Sequence, residues 1–177
     1  MGEFSPLRIW LMRAGFVGLA LLIIFFHLLP LDTLPRRWAP PDLVLAFALA
    51  WTLRRPDFAP AVSIALVVLL ADLLLHRPPG LLAMLAVMGA QFLRSRLSGP
   101  GETGFAGEWV AVAVVVVAIT LTYRVMLAVF VVQQAPLALS LIQMVLTILF
   151  YPVVVLVSEW IMGVRRSTAL DPGGLDS

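Results

Sequence analysis

Residues 66–80 read LVVLLADLLLHRPPG and place a single carboxylate, that of Asp72, inside a run of leucine, valine and alanine. A charged side chain at the centre of a bilayer costs about 2.5–3.5 kcal/mol on insertion scales, so Asp72 needs a partner or a route to water. Two prolines and a glycine interrupt the apolar run at 78–80. The stretch therefore predicts the end of one apolar helix, a short turn and the start of the next helix.

Composition assigns the chain to the membrane proteins. Of its 177 residues, 62% are hydrophobic and 12% are charged, and the mean hydropathy is +1.04. A water-soluble domain cannot hide so much apolar surface. Cysteine is absent, which excludes disulfides, thiolate metal sites and cysteine nucleophiles. The basic residues form no basic face, so nucleic-acid binding is not expected.

Six apolar runs predict an all-α, polytopic membrane helix bundle. They cover residues 14–31, 42–53, 59–75, 79–93, 109–132 and 136–164. The second and fourth runs are short, since about 12 residues at 1.5 Å each span roughly 18 Å of a hydrocarbon layer that is about 30 Å thick. Two alternatives stay open for them: short spans in a locally thinned bilayer, or segments that enter the membrane and turn back.

Arginine placement favours six spans with both termini in the cytoplasm. In that arrangement, the loops on one side carry eight arginines and the loops on the other side carry three. The eight are Arg8, Arg13, Arg54, Arg55, Arg94, Arg96, Arg165 and Arg166, and the three are Arg36, Arg37 and Arg77. The positive-inside rule places the arginine-rich side in the cytoplasm. An inverted chain with five spans would satisfy the same rule and stays open as an alternative.

Two segments outside the spans are expected to lack a fold of their own. Residues 94–108, RSRLSGPGETGFAGE, are rich in glycine, which predicts a flexible cytoplasmic linker. Residues 167–177 are polar, and we expect them to form a disordered cytoplasmic tail. The domain itself is thus a single integral-membrane unit over residues 1–166.

Small residues line particular helix faces and allow close approach between helices. They are Ala46 and Ala50 on the second run, and Ala83, Ala86, Gly89 and Ala90 on the fourth. Two interpretations stay open: these faces pack the bundle, or one of them forms the interface of a homodimer.

Three ionisable residues lie within the predicted spans: Asp72, Arg124 and Glu159. With six spans, Asp72 and Arg124 both lie in the outer third of the bundle, where we expect them to meet. Asp42 caps the start of the second span at the same end. Glu159 is expected to reach the cytoplasmic interface. For the pair of Asp72 and Arg124, three interpretations stay open: an ion pair that fixes helix register, a recognition site for a partner or small ligand, and a proton relay.

The sequence contains no recognisable catalytic constellation. It has no lysine, hence no phosphate loop with its lysine, and no serine lies in a strained glycine turn. Asp72 has no second acid within two helical turns, and His27 and His76 lack the spacing of metal ligands. We therefore expect no enzyme activity, no cofactor and no metal.

Two stretches carry a family resemblance: WAPPDLVLAFALAWTLRRPDF at 38–58 and ADLLLHRPPGLLAM at 71–84. They resemble the rod shape-determining protein MreD family of the bacterial inner membrane. In that family an external loop leads through a proline and a polar residue into the second span, which Pro41 and Asp42 match. A D-L-L motif then ends the third helix, and proline and glycine open the fourth, which Asp72, Pro79 and Gly80 match.

The resemblance implies a multi-pass, non-enzymatic subunit of the machinery that inserts peptidoglycan along the side wall of rod-shaped cells. Such a protein binds the single-span scaffold MreC and works beside MreB, the glycosyltransferase RodA and a class B penicillin-binding protein. The family is similar in architecture to the substrate-binding S components of energy-coupling-factor vitamin transporters. An S component is therefore the alternative function.

Overall fold

The computed structural model describes residues 6–29, 39–97 and 104–162. These residues form six helices and no strand, which confirms the all-α prediction. The helices are α1 (Pro6–Leu28), α2 (Leu43–Arg54), α3 (Ala61–Leu74), α4 (Leu81–Leu97), α5 (Phe105–Val129) and α6 (Leu137–Met162).

Helix boundaries follow the local chemistry that the sequence predicts. Asp42 is the N-cap of α2, and its carboxylate accepts a hydrogen bond from the N–H of Leu45 at 3.1 Å. Pro60 immediately precedes α3 and Pro136 immediately precedes α6. Proline suits the start of a helix because the N–H that it lacks would have no acceptor within the helix there. The turn between α3 and α4 needs a left-handed residue at Gly80, where φ is +87°.

The structure differs from the sequence prediction around the proposed linker. α4 continues to Leu97 and α5 begins at Phe105, so both ends of the segment 94–108 are helical. Residues 98–103 and the tail 167–177 lie outside the described residues, as do Arg36, Arg37, Arg165 and Arg166.

Polar contacts between α2 and α6 show that these two helices run parallel. Near the start of α2, the N–H of Asp42 donates to Oγ1 of Thr147 at 2.8 Å. At the end of α2, Arg54 forms an ion pair with Glu159. Each contact joins residues that are 105 positions apart, so the two helices keep the same register over three turns.

α5 and α6 run antiparallel, because Glu108 and Tyr151 meet near one end while Arg124 and Ser140 meet near the other. The bundle therefore has two ends. At what we call the Asp42 end, α1, α3 and α5 finish and α2, α4 and α6 begin. At the Arg54 end, the even-numbered helices finish and the odd-numbered helices begin.

α2 is the central helix of the bundle. It packs against α1, α3, α4 and α6. Every residue from Val44 to Thr52 is buried, so this part of α2 has no face that would meet lipid. Phe16 of α1 stacks on Phe47, with ring centroids 5.3 Å apart. A helix surrounded by protein has no lipid-facing surface to match to the bilayer, which permits its length of 12 residues.

Three helices are long and apolar enough to cross a membrane: Leu7–Leu28, Phe105–Val129 and Leu137–Trp160. At most 28% of the most apolar window of each is buried inside the protein, so their outer faces carry exposed leucine, valine and phenylalanine. α2 and α3 are apolar but shorter. These features are those of a helical membrane bundle.

The small-residue faces pack the interior of the bundle. Ala46, Ala50, Ala86 and Ala90 are each 2% exposed or less. A Cβ atom added at Gly89 would lie 2.8 Å from Cγ1 of Val115, so α4 and α5 approach closely there. These faces are covered by neighbouring helices of the same chain.

Candidate functional site

The short central helix leaves a recess at the Asp42 end. α6 begins at Leu137, ten residues before Thr147, which lies level with Asp42. The first part of α6 therefore rises roughly 15 Å above the start of α2. The end of α5 rises beside it, since Arg124 bonds to Ser140. At the Arg54 end, α2 finishes opposite Glu159, three residues before the last described residue of α6.

The recess contains a cavity of about 330 Å³, which we call the outer cavity. Its polar lining includes Asp42, Arg77, Arg124, Gln134, Ser140 and Gln143. Its apolar lining includes Leu45, Leu82, Val116, Ile119 and Met144. A second cavity of about 240 Å³ adjoins it and shares Arg77, Ala135, Ser140 and Gln143.

Asp42 and Arg77 form an ion pair at the floor of the outer cavity. Nη1 of Arg77 donates to Oδ2 of Asp42 at 2.8 Å. Burial alone would raise the pKa of Asp42, but the Arg77 guanidinium and the N–H of Leu45 outweigh it, so this pKa lies below its ordinary value. Burial opposes the charge on Arg77 too, yet the carboxylate of Asp42 raises the pKa of Arg77. Both groups are therefore held charged, and the turn after α3 is tied to the start of α2.

Asp72 holds the turn between α3 and α4 from inside. Its side chain is fully buried, and Oδ2 accepts a hydrogen bond from the N–H of Ala83 at 3.3 Å. Ala83 lies in the first turn of α4, where backbone N–H groups lack partners within the helix. Oδ1 of Asp72 has no hydrogen-bond partner among the described residues. Pro79 and Gly80 complete the same turn, so these three residues shape the Asp42 end together.

The expected pairing of Asp72 with Arg124 is wrong. α5 packs against α4 and α6, so the guanidinium of Arg124 reaches α6. Its Nη1 donates to Oγ of Ser140 at 2.6 Å and to the carbonyl of Ala135 at 3.2 Å. Among the described residues, no carboxylate lies within 4.0 Å of Arg124. Asp42 instead pairs with Arg77. The sequence places these two residues at the same end of the bundle but does not pair them.

A second polar cluster lies at the Arg54 end. Arg54 is buried between two carboxylates: it pairs with Glu159, and its Nε lies 3.4 Å from Oε1 of Glu108. The hydroxyl of Tyr151 donates to the same Oε1 of Glu108 at 2.7 Å. Glu159 thus points to Arg54, although its side chain keeps 29% of its surface exposed.

Sequence reasoning missed Arg54 and Glu108 as members of a site. Glu108 was assigned to the linker, yet it lies in the first turn of α5 and is 1% exposed. The available signal was an acid four residues after Gly104, since acidic side chains favour the first turn of a helix. Nothing in the sequence pairs that acid with Arg54.

Two tryptophans fasten α6 to its neighbours. Pro152 lies inside α6 and has no N–H, so the carbonyl of Ile148 lacks its usual helical donor. The indole N–H of Trp109 on α5 donates to that carbonyl at 2.9 Å. On the other side, the indole N–H of Trp51 donates to Oγ of Ser158 at 3.2 Å.

Among residues 6–29, 39–97 and 104–162, no three histidine, aspartate or glutamate side chains are grouped so as to hold a metal ion. Comparison with protein-family models, with curated proteins and with solved structures finds no match for this chain. The fold and its polar recess define an all-helical protein with membrane-spanning character.

Proposed function

We propose that the protein is a non-enzymatic scaffold of the bacterial inner membrane that belongs to the cell-wall elongation complex. In this proposal it binds MreC and supports side-wall peptidoglycan synthesis beside MreB, RodA and a class B penicillin-binding protein. The observation that carries the proposal is the placement of the family-like residues. Asp42, Asp72, Pro79 and Gly80 come from two stretches of sequence and build one end of the bundle, through Arg77 and the N–H of Ala83.

The proposed topology has six spans, with both termini and the Arg54 end in the cytoplasm. The alternation of helix directions supports it, because six helices that each run from end to end bring both termini to one side. Arginine placement supports the orientation. Of the eight described arginines, Arg8, Arg13, Arg54, Arg55, Arg94 and Arg96 lie toward the Arg54 end, while Arg77 and Arg124 lie toward the Asp42 end.

Cysteine labelling tests this topology without background, because the chain has no cysteine. Val131, in the turn after α5, is 90% exposed at the Asp42 end, and Arg96 is exposed near the Arg54 end. A membrane-impermeant maleimide added to cells with a permeabilised outer membrane is expected to label Val131→Cys and to spare Arg96→Cys. Labelling of Arg96→Cys alone would invert the proposed orientation.

In the proposed complex, the membrane-proximal segment of MreC binds the rim of the Asp42 end. This rim consists of the turn at 75–80 and the loop at 130–136. Phe130 and Val131 are 70% and 90% exposed there, which gives the rim an apolar contact surface beside polar groups.

Affinity purification from native membranes in mild detergent, followed by mass spectrometry, tests the scaffold function. Recovery of a single-span coiled-coil protein with cell-wall synthases is expected. Phe130→Asp is expected to reduce that recovery. Phe92→Asp is the matched control, since Phe92 is half exposed near the opposite end. Equal recovery with both variants would contradict binding at the rim, and absence of cell-wall proteins from the wild-type sample would refute the scaffold function.

The outer cavity favours a second candidate, a substrate-binding S component of an energy-coupling-factor transporter. A volume of about 330 Å³ with polar and apolar walls is within the range of small-molecule sites. The same purification distinguishes the two functions. Paired ATPases, a second membrane subunit and a bound vitamin would identify the transporter component.

A further inference from the structure

We propose that the outer cavity binds the anionic group of a small amphiphile, with Arg124 as the residue that pairs with it. The ligand carries a phosphate or carboxylate on an apolar body. A membrane phospholipid and a soluble acid share this chemistry, and the experiment below separates them. The inference does not depend on the identity of the complex. A scaffold protein can hold a structural lipid in this cavity, and a transport component can hold a soluble ligand there.

The charges that line the cavity do not balance. Arg77 and Arg124 contribute two permanent positive charges, and Asp42 contributes one negative charge. The carboxylate of Asp42 is already paired with Arg77 at 2.8 Å. Arg124 therefore remains as a cation without a carboxylate partner among the described residues. A partly buried guanidinium without a counter-charge lowers the stability of the folded protein. An anion in the cavity would supply that counter-charge.

The donors around Arg124 can hold such an anion. A guanidinium has five N–H donors in a planar fork, and Arg124 donates to the described residues through Nη1 alone. The amide of Gln134 donates to the carbonyl of Arg124 at 3.1 Å, which fixes the loop next to it. Gln143 lines the cavity one turn of α6 below Ser140, so a second donor side chain lies on the same wall.

The deeper walls fit the apolar body of the ligand. Val116 and Ile119 on α5, Leu82 on α4 and Leu45 on α2 line the cavity. Val116 lies eight residues before Arg124, so the apolar part extends roughly 12 Å below the guanidinium. The cavity thus has a cationic mouth at Arg124 and apolar side chains around the Asp42–Arg77 pair at its floor, which matches an amphiphile better than a fully hydrated ion.

Native mass spectrometry of the full-length protein, purified from membranes in mild detergent, tests the inference. We expect the wild-type protein to retain one anionic molecule after annular lipid has been removed. Arg124→Gln is expected to lose it, whereas Arg96→Gln, an exposed arginine near the opposite end, is expected to keep it. Identification of the retained mass as a phospholipid or as a soluble acid assigns the source.

A titration of delipidated protein supplies the affinity. Dioleoylphosphatidylglycerol in neutral-detergent micelles is the anionic probe, and dioleoylphosphatidylcholine is the zwitterionic one. For a phospholipid ligand, the anionic probe is expected to bind wild-type protein at least about tenfold more tightly than Arg124→Gln, since a bond to a charged group contributes that much. For a soluble acid, the retained molecule replaces the lipid as the probe and the same tenfold loss is expected.

Three results would overturn the inference: equal retention by wild-type and Arg124→Gln protein, retention of uncharged molecules only, or occupation of the cavity by a partner peptide. If Arg124→Gln does not fold, Arg124→Lys and Gln143→Leu replace it. Arg124→Lys keeps the charge and is expected to bind the anion more weakly, and Gln143→Leu keeps Arg124 and removes a donor. Unchanged affinity in both folded variants would equally refute the assignment.

Discussion

The bond between Trp109 and the carbonyl of Ile148 should be coupled to Pro152. Trp109→Phe removes the indole donor and leaves a partly buried carbonyl without a partner, which is expected to cost about 1–3 kcal/mol of the free energy of unfolding. Pro152→Ala restores a backbone N–H at position 152, which can donate to the carbonyl of Ile148 within α6. In that background, Trp109→Phe should cost only the packing difference between the two rings.

The four proteins of this double-mutant cycle can be compared by SDS-induced unfolding in mixed micelles, with helical circular dichroism as the readout. The cycle removes the effect of ring size, because both backgrounds contain the same Trp109→Phe change. We expect a coupling energy of about 1–2 kcal/mol between the two positions. Additive effects within about 0.5 kcal/mol would show that the indole does not replace the helical donor, and would refute the reasoning.

Four further predictions concern two helical glycines and the two polar clusters. Arg54→Met leaves the buried carboxylate of Glu108 without its cation and is expected to cost about 3–5 kcal/mol in the same unfolding assay. Gly89→Ala places a methyl group 2.8 Å from a neighbouring side chain; overpacking of about 1–3 kcal/mol, less a helix-propensity gain of about 1 kcal/mol, gives a net loss of up to about 2 kcal/mol. Gly18→Ala, where nothing lies within 4 Å, should stabilise by about 0.5–1 kcal/mol. The folded pKa of Asp42 is below its ordinary value of 3.8, so its stabilisation is complete above about pH 4 and is lost as pH falls through the folded pKa.

Each of these predictions has a result that contradicts it. Combining Arg54→Met with Glu108→Gln and Glu159→Gln should recover most of the lost stability, and no recovery would place the damage elsewhere. Equal effects of Gly89→Ala and Gly18→Ala would exclude a close contact between α4 and α5. Asp42→Asn should flatten the acid limb of stability measured between pH 2.5 and 7. An unchanged slope would show that the ion pair with Arg77 does not set it.

Sequence reasoning predicted the local features of the fold. Apolar runs marked all six helices, the N-cap at Asp42 was anticipated, and glycine at position 80 marked the turn before α4. Each depends on residues within a few positions of one another: hydrophobicity, side-chain capping and the backbone freedom of glycine act over a single turn.

Errors arose where a contact joins distant parts of the chain. Asp72 and Arg124 were expected to meet because both lie at one end of the bundle, but the rotation of α5 turns Arg124 toward Ser140. Glu108 was assigned to the linker because the segment 94–108 is rich in glycine, yet Arg54 and Tyr151 contact its carboxylate. Depth along a helix follows from residue counts, whereas the direction of a side chain depends on which helices pack against it.

The sequence by itself determined the membrane character, the number of helices and the residues that end them, because apolar length and turn chemistry are local properties. Only the tertiary structure decided that α2 lies at the centre and that its start lies level with Thr147 on α6. That register, fixed by side chains 105 positions apart, converts a short helix into a recess and brings Asp42, Arg77 and Arg124 to one cavity. Packing between helices sets this register, and that packing cannot be read from any single stretch of the sequence.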